Sequence, residues 1–253
     1  MSNQQILPLV ALGDNYIWII PTGPHSVAVV DPGSAAEVDD FLQKSAKKLS
    51  HILITHHHYD HIDGISTLAK KYQAKTIGSA NDQNRLPKLD QPVKDGDTFV
   101  MGTTQVTVFE TPGHTSGHVA YLVDDALFPG DTIFSIGVGR LSEGTAEQMW
   151  NSIKKLRALP GSTAIYPAHE YTFANFSFAR HLEPNSRALA QGEDAARALI
   201  DADRPTLPTT LDYEKKLNPF LRADQTQMAK LLNMEGSSPT AIFAEIRTRR
   251  DNF

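Results

Sequence analysis

The stretch that most constrains this chain is Thr55-His56-His57-His58-Tyr59-Asp60-His61, which follows directly on the apolar run HILIT at residues 51–55. That run is short and apolar, so it reads as a buried strand ending where the histidines begin. His56 and His58 are two residues apart and point to the same side of an extended segment, whereas His57 points away. Asp60 and His61 lie one tight turn further on and come from a second direction. A lone histidine is more often a packed or solvated residue than a ligand. H-x-H-x-D-H at the end of a strand is much more specific and reads as a metal site, with His57 outside the ligand set.

A short loop rarely closes a metal shell alone. Three further candidates lie downstream in breaker-rich loops after strands: His114 in TPGHTSGH, Asp131 in FPGDT and His169 in YPAHE. Each taken singly has a plain reading as a turn residue. Together with His56, His58, Asp60 and His61 they supply more donors than the three or four of one site, and they suit two metals sharing a bridging carboxylate and water. The chain has no cysteine. That removes disulfides, thiolate nucleophiles, iron–sulfur clusters and cysteine-type zinc sites, leaving His and carboxylate ligands. Such ligands accept zinc first, with iron or manganese as alternatives.

Around this run the pattern is strand, helix, strand, helix, which argues for parallel βαβ units. NYIWII and VAVVD, split by PTGPH, predict a hairpin over residues 15–31. Residues 37–49 have helical spacing, a helix is expected to about Tyr72, and KTIGS is a strand. Residues 98–110 and 118–128 read as antiparallel strands. Thr145, with Gln148 three residues on, predicts a helix cap, and residues 163–170 form one more strand with its loop. Beyond Tyr171 no strand pattern remains: four helical stretches follow, with LNPFLR as a linker. The expected organisation is an α/β body over residues 1–170 and an all-α part over 171–253.

Function classes narrow further. A formal net charge of −5 gives no support to nucleic-acid binding, which usually shows a basic surplus. The apolar runs are far too short to span a membrane, and residues 1–20 lack the basic start and apolar core of a signal peptide. A soluble, cytoplasmic chain acting on a small molecule is expected.

H-x-H-x-D-H followed by His, Asp and His at these intervals closely resembles the metallo-β-lactamase superfamily. The resemblance implies an αββα sandwich with metals at one edge. It implies that one metal takes His56, His58 and His114, the other Asp60, His61 and His169, and that Asp131 bridges them. Within that superfamily DNYIW, RLSEGTAEQM, HEYT, FARHLEPNS, NPFLR and the ending IRTRRDNF resemble glyoxalase II, over nearly the whole chain.

That family resemblance implies hydrolysis of S-D-lactoylglutathione to D-lactate and glutathione by a hydroxide held between two divalent metals, as the second step of methylglyoxal detoxification. Asp60 and Asp131 are the carboxylates placed at the reaction, and the enzyme is expected to be a monomer. The C-terminal helices would close over the site and hold glutathione through Arg140, Tyr171, Arg247 and Arg250; without the resemblance the basic ending reads as a solvated helix end. Ser142 stands where the family usually carries an aromatic residue, and Tyr59 where relatives often carry Trp. The alternatives weighed are a persulfide dioxygenase of the same superfamily, disfavoured by the full C-terminal helical part, a nuclease, disfavoured by charge, and a non-catalytic glutathione-binding module, disfavoured because all seven ligand positions are filled.

Overall fold

The computed structural model describes residues 5–253; the first four residues of the segment examined for a signal peptide lie outside it. Two six-stranded sheets carry the fold. The first comprises β1 (Leu7–Ala11), β2 (Asn15–Gly23), β3 (Ser26–Val30), β4 (Lys48–Leu53), β5 (Lys75–Ser79) and β6 (Gln91–Val93), hydrogen-bonded in that order. β1 to β3 form an antiparallel meander, and β3 to β6 run parallel. The second sheet contains β7 (Thr98–Met101), β8 (Thr104–Glu110), β9 (Val119–Val123) and β10 (Ala126–Phe128). A small hairpin of β11 (Ile133–Phe134) and β12 (Gly137–Val138) follows, and β13 (Ala164–Ile165) returns to pair in parallel with β10.

Alternation along β2 shows why NYIWII is apolar throughout. Trp18 and Ile20 face the second sheet, packing with Val106, Val108, Tyr121 and Phe128. Ile17 and Ile19 face the other way, onto Val38 and Leu42 of α1 (Ala35–Ser45) and Ile65 and Leu68 of α3 (Ile65–Tyr72). A strand covered on both faces loses the polar half of its period. Beyond the second sheet lies α4 (Ala146–Arg157), whose Trp150, Ile153 and Leu156 complete the αββα order. Its capping box forms as expected: Gln148 N donates to Thr145 Oγ1 at 3.2 Å, and Thr145 N donates to Gln148 Oε1 at 2.9 Å.

The C-terminal part holds α5 (Thr172–Leu182), α6 (Arg187–Asp201), α7 (Leu211–Leu217), α8 (Thr226–Leu231) and α9 (Pro239–Asp251). It shares its apolar core with α4 and the second sheet, through Phe178, Phe220, Phe243 and Ile246. Three expectations are corrected here. Leu49, which fits the helical period seven residues after Leu42, belongs to β4, because Ala46 in a left-handed conformation ends α1 first. Residues after Tyr171 do contribute a strand: β14 (Thr209–Thr210) pairs with β13, two residues being too short to show a period. LNPFLR is a buried 3-10 turn rather than a linker, with Phe220 and Leu221 each 1% exposed. Among the described residues no helix is long and apolar enough to cross a membrane.

Glu214 locks this C-terminal part to the site hairpin. Fully buried, its carboxylate accepts from Ile136 N at 2.8 Å, Asn218 Nδ2 at 2.9 Å and Thr209 Oγ1 at 2.9 Å. Burial pushes its carboxyl up to about 7 in spite of those three donors. The folded state therefore binds this proton more tightly than the unfolded chain, so stability falls as pH rises from the ordinary Glu range to about 7. Melting curves of Glu214→Gln between pH 5 and 8 are expected to lack that decline, which is worth about 2–3 kcal/mol in the parent. An identical pH slope in both proteins contradicts this role.

Candidate metal centre

The loop after β4 stays extended through His58 (φ −62°, ψ 143°) and then coils into the single turn α2 (Tyr59–Ile62). Extension puts His56 and His58 on one side; the turn swings Asp60 and His61 in from another. His114 arrives on the β8–β9 loop, Asp131 on the loop after β10 and His169 on the loop after β13. Gly130 makes the Asp131 turn possible. It has φ +49°, and a Cβ there would stand 2.4 Å from Thr55 Oγ1.

All seven residues meet at one edge of the sandwich. His58 Nδ1 lies 3.1 Å from His56 Nε2 and 3.0 Å from His114 Nε2. A second group forms around His61 Nε2, which lies 3.4 Å from Asp60 Oδ2 and 3.3 Å from His169 Nε2. Asp131 sends one oxygen to each group: Oδ2 is 3.3 Å from His114 Nε2, and Oδ1 is 3.6 Å from His61 Nε2 and 3.5 Å from His169 Nε2. Two donors about 2.1 Å from one ion at a tetrahedral angle stand about 3.4 Å apart, so these spacings fit a shared cation in each group. Asp131 Oδ1 is buried without a hydrogen-bond partner, an arrangement that costs free energy unless a cation faces it. Both groups are among the His/Asp sets able to hold a metal ion.

The charge states suit that use. Burial, reinforced by neighbouring imidazoles, holds His56 and His58 below the usual imidazole range, so both present a neutral ring with a free lone pair. Burial also works against a proton on His61, but the carboxylates of Asp131, Asp31 and Asp60 outweigh it and hold the ring well above that range. Asp60 is held low: burial favours its neutral form, and His61 with Asn15 reverses the balance. Such a gathering of buried carboxylates needs positive charge, which a divalent cation provides in place of the proton.

Around the donors runs a set of partners that sequence reasoning missed. Thr55 Oγ1 faces His56 Nδ1 at 3.0 Å, Asp31 Oδ2 faces His61 Nδ1 at 3.0 Å, and Asp14 Oδ1 faces His169 Nδ1 at 2.9 Å. Arg140 O takes His114 Nδ1 at 2.9 Å, and Asn15 Nδ2 donates to Asp60 Oδ2 at 3.0 Å. His118 stacks on His56, with ring centroids 4.8 Å apart, and its Nε2 accepts from Asp131 N at 3.2 Å. Asp31 could itself be counted with His56 and His61 as a metal group. Its oxygens already accept from Thr55 N at 2.7 Å and Thr55 Oγ1 at 2.6 Å as well as from His61, so it orients rather than ligates. His57 is turned out of the cluster, as alternation requires, towards Asp82 Oδ2 at 3.1 Å.

Next to His114 and Asp131 lies a cavity of about 640 Å³ that gathers Arg140, Tyr171, Arg247, Arg250 and Ser142. Arg247 is largely committed elsewhere: NH1 donates to Val138 O at 3.2 Å, NH2 pairs with Asp251 Oδ1 at 2.8 Å, and the guanidinium lies over Phe220. Arg250 rests against the rings of Phe178 and Phe253, and Arg140 is exposed. Tyr171 stacks flat on His169 at 4.8 Å, and burial together with nearby carboxylates pushes its hydroxyl well above the usual phenol range, so it stays a donor.

Two substitutions separate the cluster from its surroundings. Asp31→Asn is expected to weaken metal affinity about tenfold to a hundredfold by competition with a chelator. His57→Ala is expected to leave metal content near that of the parent. Equal losses in the two variants contradict this division.

A family profile described as the metallo-beta-lactamase superfamily matches residues 11–169, and one described as hydroxyacylglutathione hydrolase C-terminus matches residues 170–253. The hydroxyacylglutathione hydrolase of Rhodospirillum rubrum is 43% identical, with 100% of each chain covered, and that of Methylococcus capsulatus is 42% identical over 98% of each. Among solved structures, ETHE1 from Myxococcus xanthus superposes with a TM-score of 0.66 at 26% identity, covering 98% of each chain. TTHA1623, solved in a di-iron-bound form, does so at 0.63 and 22% identity, over 86% of this chain and 100% of its own. On the full-length matches and the sandwich that carries the His/Asp cluster, this chain belongs to the hydroxyacylglutathione hydrolase family of the metallo-beta-lactamase superfamily.

Proposed function

We propose that this chain hydrolyses S-D-lactoylglutathione to D-lactate and glutathione, the second step of methylglyoxal detoxification, with two divalent cations at the His/Asp cluster. The observation that carries this reading is one continuous site, in which donors His114 and Asp131 line the same cavity as Arg140, Tyr171 and Arg250. The name carried by the full-length relatives supports the same substrate class.

In this reading His56, His58 and His114 would hold one cation and Asp60, His61 and His169 the other, with Asp131, which faces both groups, shared between them. When bound, the cations supply Lewis acidity at the thioester carbonyl and make water available as a nucleophile near neutral pH; zinc fits first, with iron or manganese also suited to these donors. The chain's residues do the rest. Asp60, with one oxygen held by Asn15 Nδ2, fixes the orientation of an attacking water. Arg140 and Arg250 capture the two carboxylates of glutathione, where a planar guanidinium is well shaped. Arg247, spent on Val138 O and Asp251, supports the cavity wall more than it binds. Tyr171 and Ser142 donate hydrogen bonds along the peptide. Water's oxygen ends in lactate, the carbon–sulfur bond breaks, and sulfur leaves as a thiolate, stable enough to need no dedicated acid.

The division of labour is part of the proposal: residues 1–170 carry the cations, and residues 171–253 add Tyr171 and Arg250 to the glutathione contacts of Arg140 and Ser142. So is action as a cytoplasmic monomer on a small molecule, without nucleic acid or membrane; the cysteine-free composition suits a reducing compartment.

The test is loss of thioester absorbance with S-D-lactoylglutathione, with elemental analysis of the same preparation. Activity at two metal equivalents per chain is expected, whereas full activity at one equivalent overturns the dinuclear assignment. Arg250→Ala and Arg140→Ala are each expected to raise KM about tenfold with kcat changed far less, because binding lost equally in ground and transition states leaves kcat alone. Arg247→Ala is expected to lower Tm as well, having left Val138 O and Asp251 without their partner. Unchanged KM in the Arg140/Arg250 double variant, with metals intact, removes glutathione from the reading.

A further inference from the structure

A second cavity, of about 390 Å³, reaches the cluster at Asp60 and His169, whereas the arginine-lined cavity reaches it at His114 and Asp131. Tyr171 lines both, so its ring, flat on His169, is the wall they share. The remaining lining is Leu12, Asp14, Asn15 and Tyr59.

We propose that this second cavity is the acyl subsite, selecting thioesters whose acyl group is uncharged and carries an apolar substituent. The inference rests on the hydrolase reading above. A thioester under attack has its carbonyl carbon at the cluster. Its thiol half, with two carboxylates, belongs with Arg140 and Arg250. Its acyl half extends from the other side of that carbon and is left facing the other opening.

The walls set the preference. Leu12 and Tyr59 are 55% and 72% exposed, large apolar side chains held up at the rim of a polar site. Leu12 sits there at φ 52°, beside Gly13 at φ 99°, in the turn between β1 and β2 that also presents Asp14 and Asn15 to His169 and Asp60. The turn that orients two donors thus also raises the rim. Among the described residues no Lys or Arg lines this cavity, while Asp14 contributes a half-exposed carboxylate. An acyl group ending in a carboxylate meets like charge there, whereas a hydroxyl meets an acceptor and an aryl or alkyl group meets Leu12 and Tyr59.

The experiment compares kcat/KM for three glutathione thioesters, lactoyl, mandeloyl and succinyl, in metal-loaded parent, Tyr59→Ala and Leu12→Lys enzyme. Ratios within one variant cancel differences in metal loading. Tyr59→Ala is expected to lower the mandeloyl-to-lactoyl ratio about fivefold, through lost apolar contact. Leu12→Lys, at an exposed turn position, is expected to raise the succinyl-to-lactoyl ratio about tenfold by adding a positive charge beside Asp14. Ratios that stay at the parent values in both variants, with lactoylglutathione still hydrolysed, overturn the subsite alone. Parent enzyme that hydrolyses none of the three overturns the hydrolase reading and the subsite with it.

Discussion

The site depends on one physical constraint: in His56, His61, His114 and His169 one ring nitrogen is aimed into the cluster because the other is held from behind. Asp31 is the clearest case. Its carboxylate accepts from Thr55 N, Thr55 Oγ1 and His61 Nδ1, tying the end of β3 to the start of the histidine loop and to the turn of α2. Asp31 itself adopts φ 49°, a conformation few non-glycine residues take, and three buried hydrogen bonds keep it there. The same device recurs with Thr55 on His56, Arg140 O on His114 and Asp14 on His169. Three donor-bearing loops from two sheets are thereby brought to one geometry before any cation is counted.

One of those supports also couples chemistry to binding. Arg140 holds His114 through its backbone oxygen and lines the cavity through its side chain. The loop that carries it is fixed from outside: Glu143 accepts from Ser116 N at 2.8 Å and pairs with Arg85, while Gly144 N donates to Gly113 O at 3.0 Å. Residues 113–116 and 140–144 are thus tied into one piece that carries both the His114 imidazole and the backbone from which the Arg140 side chain enters the cavity. On the function proposed above, the starting point of the Arg140 side chain would be fixed relative to His114.

What was legible in the sequence follows from range. H-x-H-x-D-H is readable because strand alternation and one helical turn decide, within six residues, which side chains share a side; His57, turned towards Asp82, obeys the same rule. The capping box at Thr145 is legible for the same local reason. Asp14, Asn15, Asp31 and His118 were not, since each looks like an ordinary turn or strand-end residue until its distant partner is in place. Arg247 shows the limit of the same local range. Its type and position fit carboxylate capture, but nothing in IRTRR shows that Val138 O lies within reach of its guanidinium. Likewise the burial of Phe220 and Leu221 in LNPFLR, and the pairing of Thr209–Thr210 with β13, exist only once the helical part lies on the second sheet.

The net charge of −5 describes the surface and misleads about the cavity. There Arg140, Arg247 and Arg250 are close enough to oppose one another's charge: burial lowers the proton affinity of Arg250 first, and Arg140 lowers it further. Arg247 is lowered mainly by burial, with Asp251 working against that. Guanidinium groups stay charged under such strain, so the strain appears as an unmet demand for anions. Asp251 answers part of it for Arg247. Arg140 and Arg250 have no carboxylate partner within ion-pair distance among the described residues. On the function proposed above, a ligand bearing two carboxylates would supply what the fold withholds, and selection for it would be set by these two uncompensated arginines rather than by the total number of basic residues in the chain.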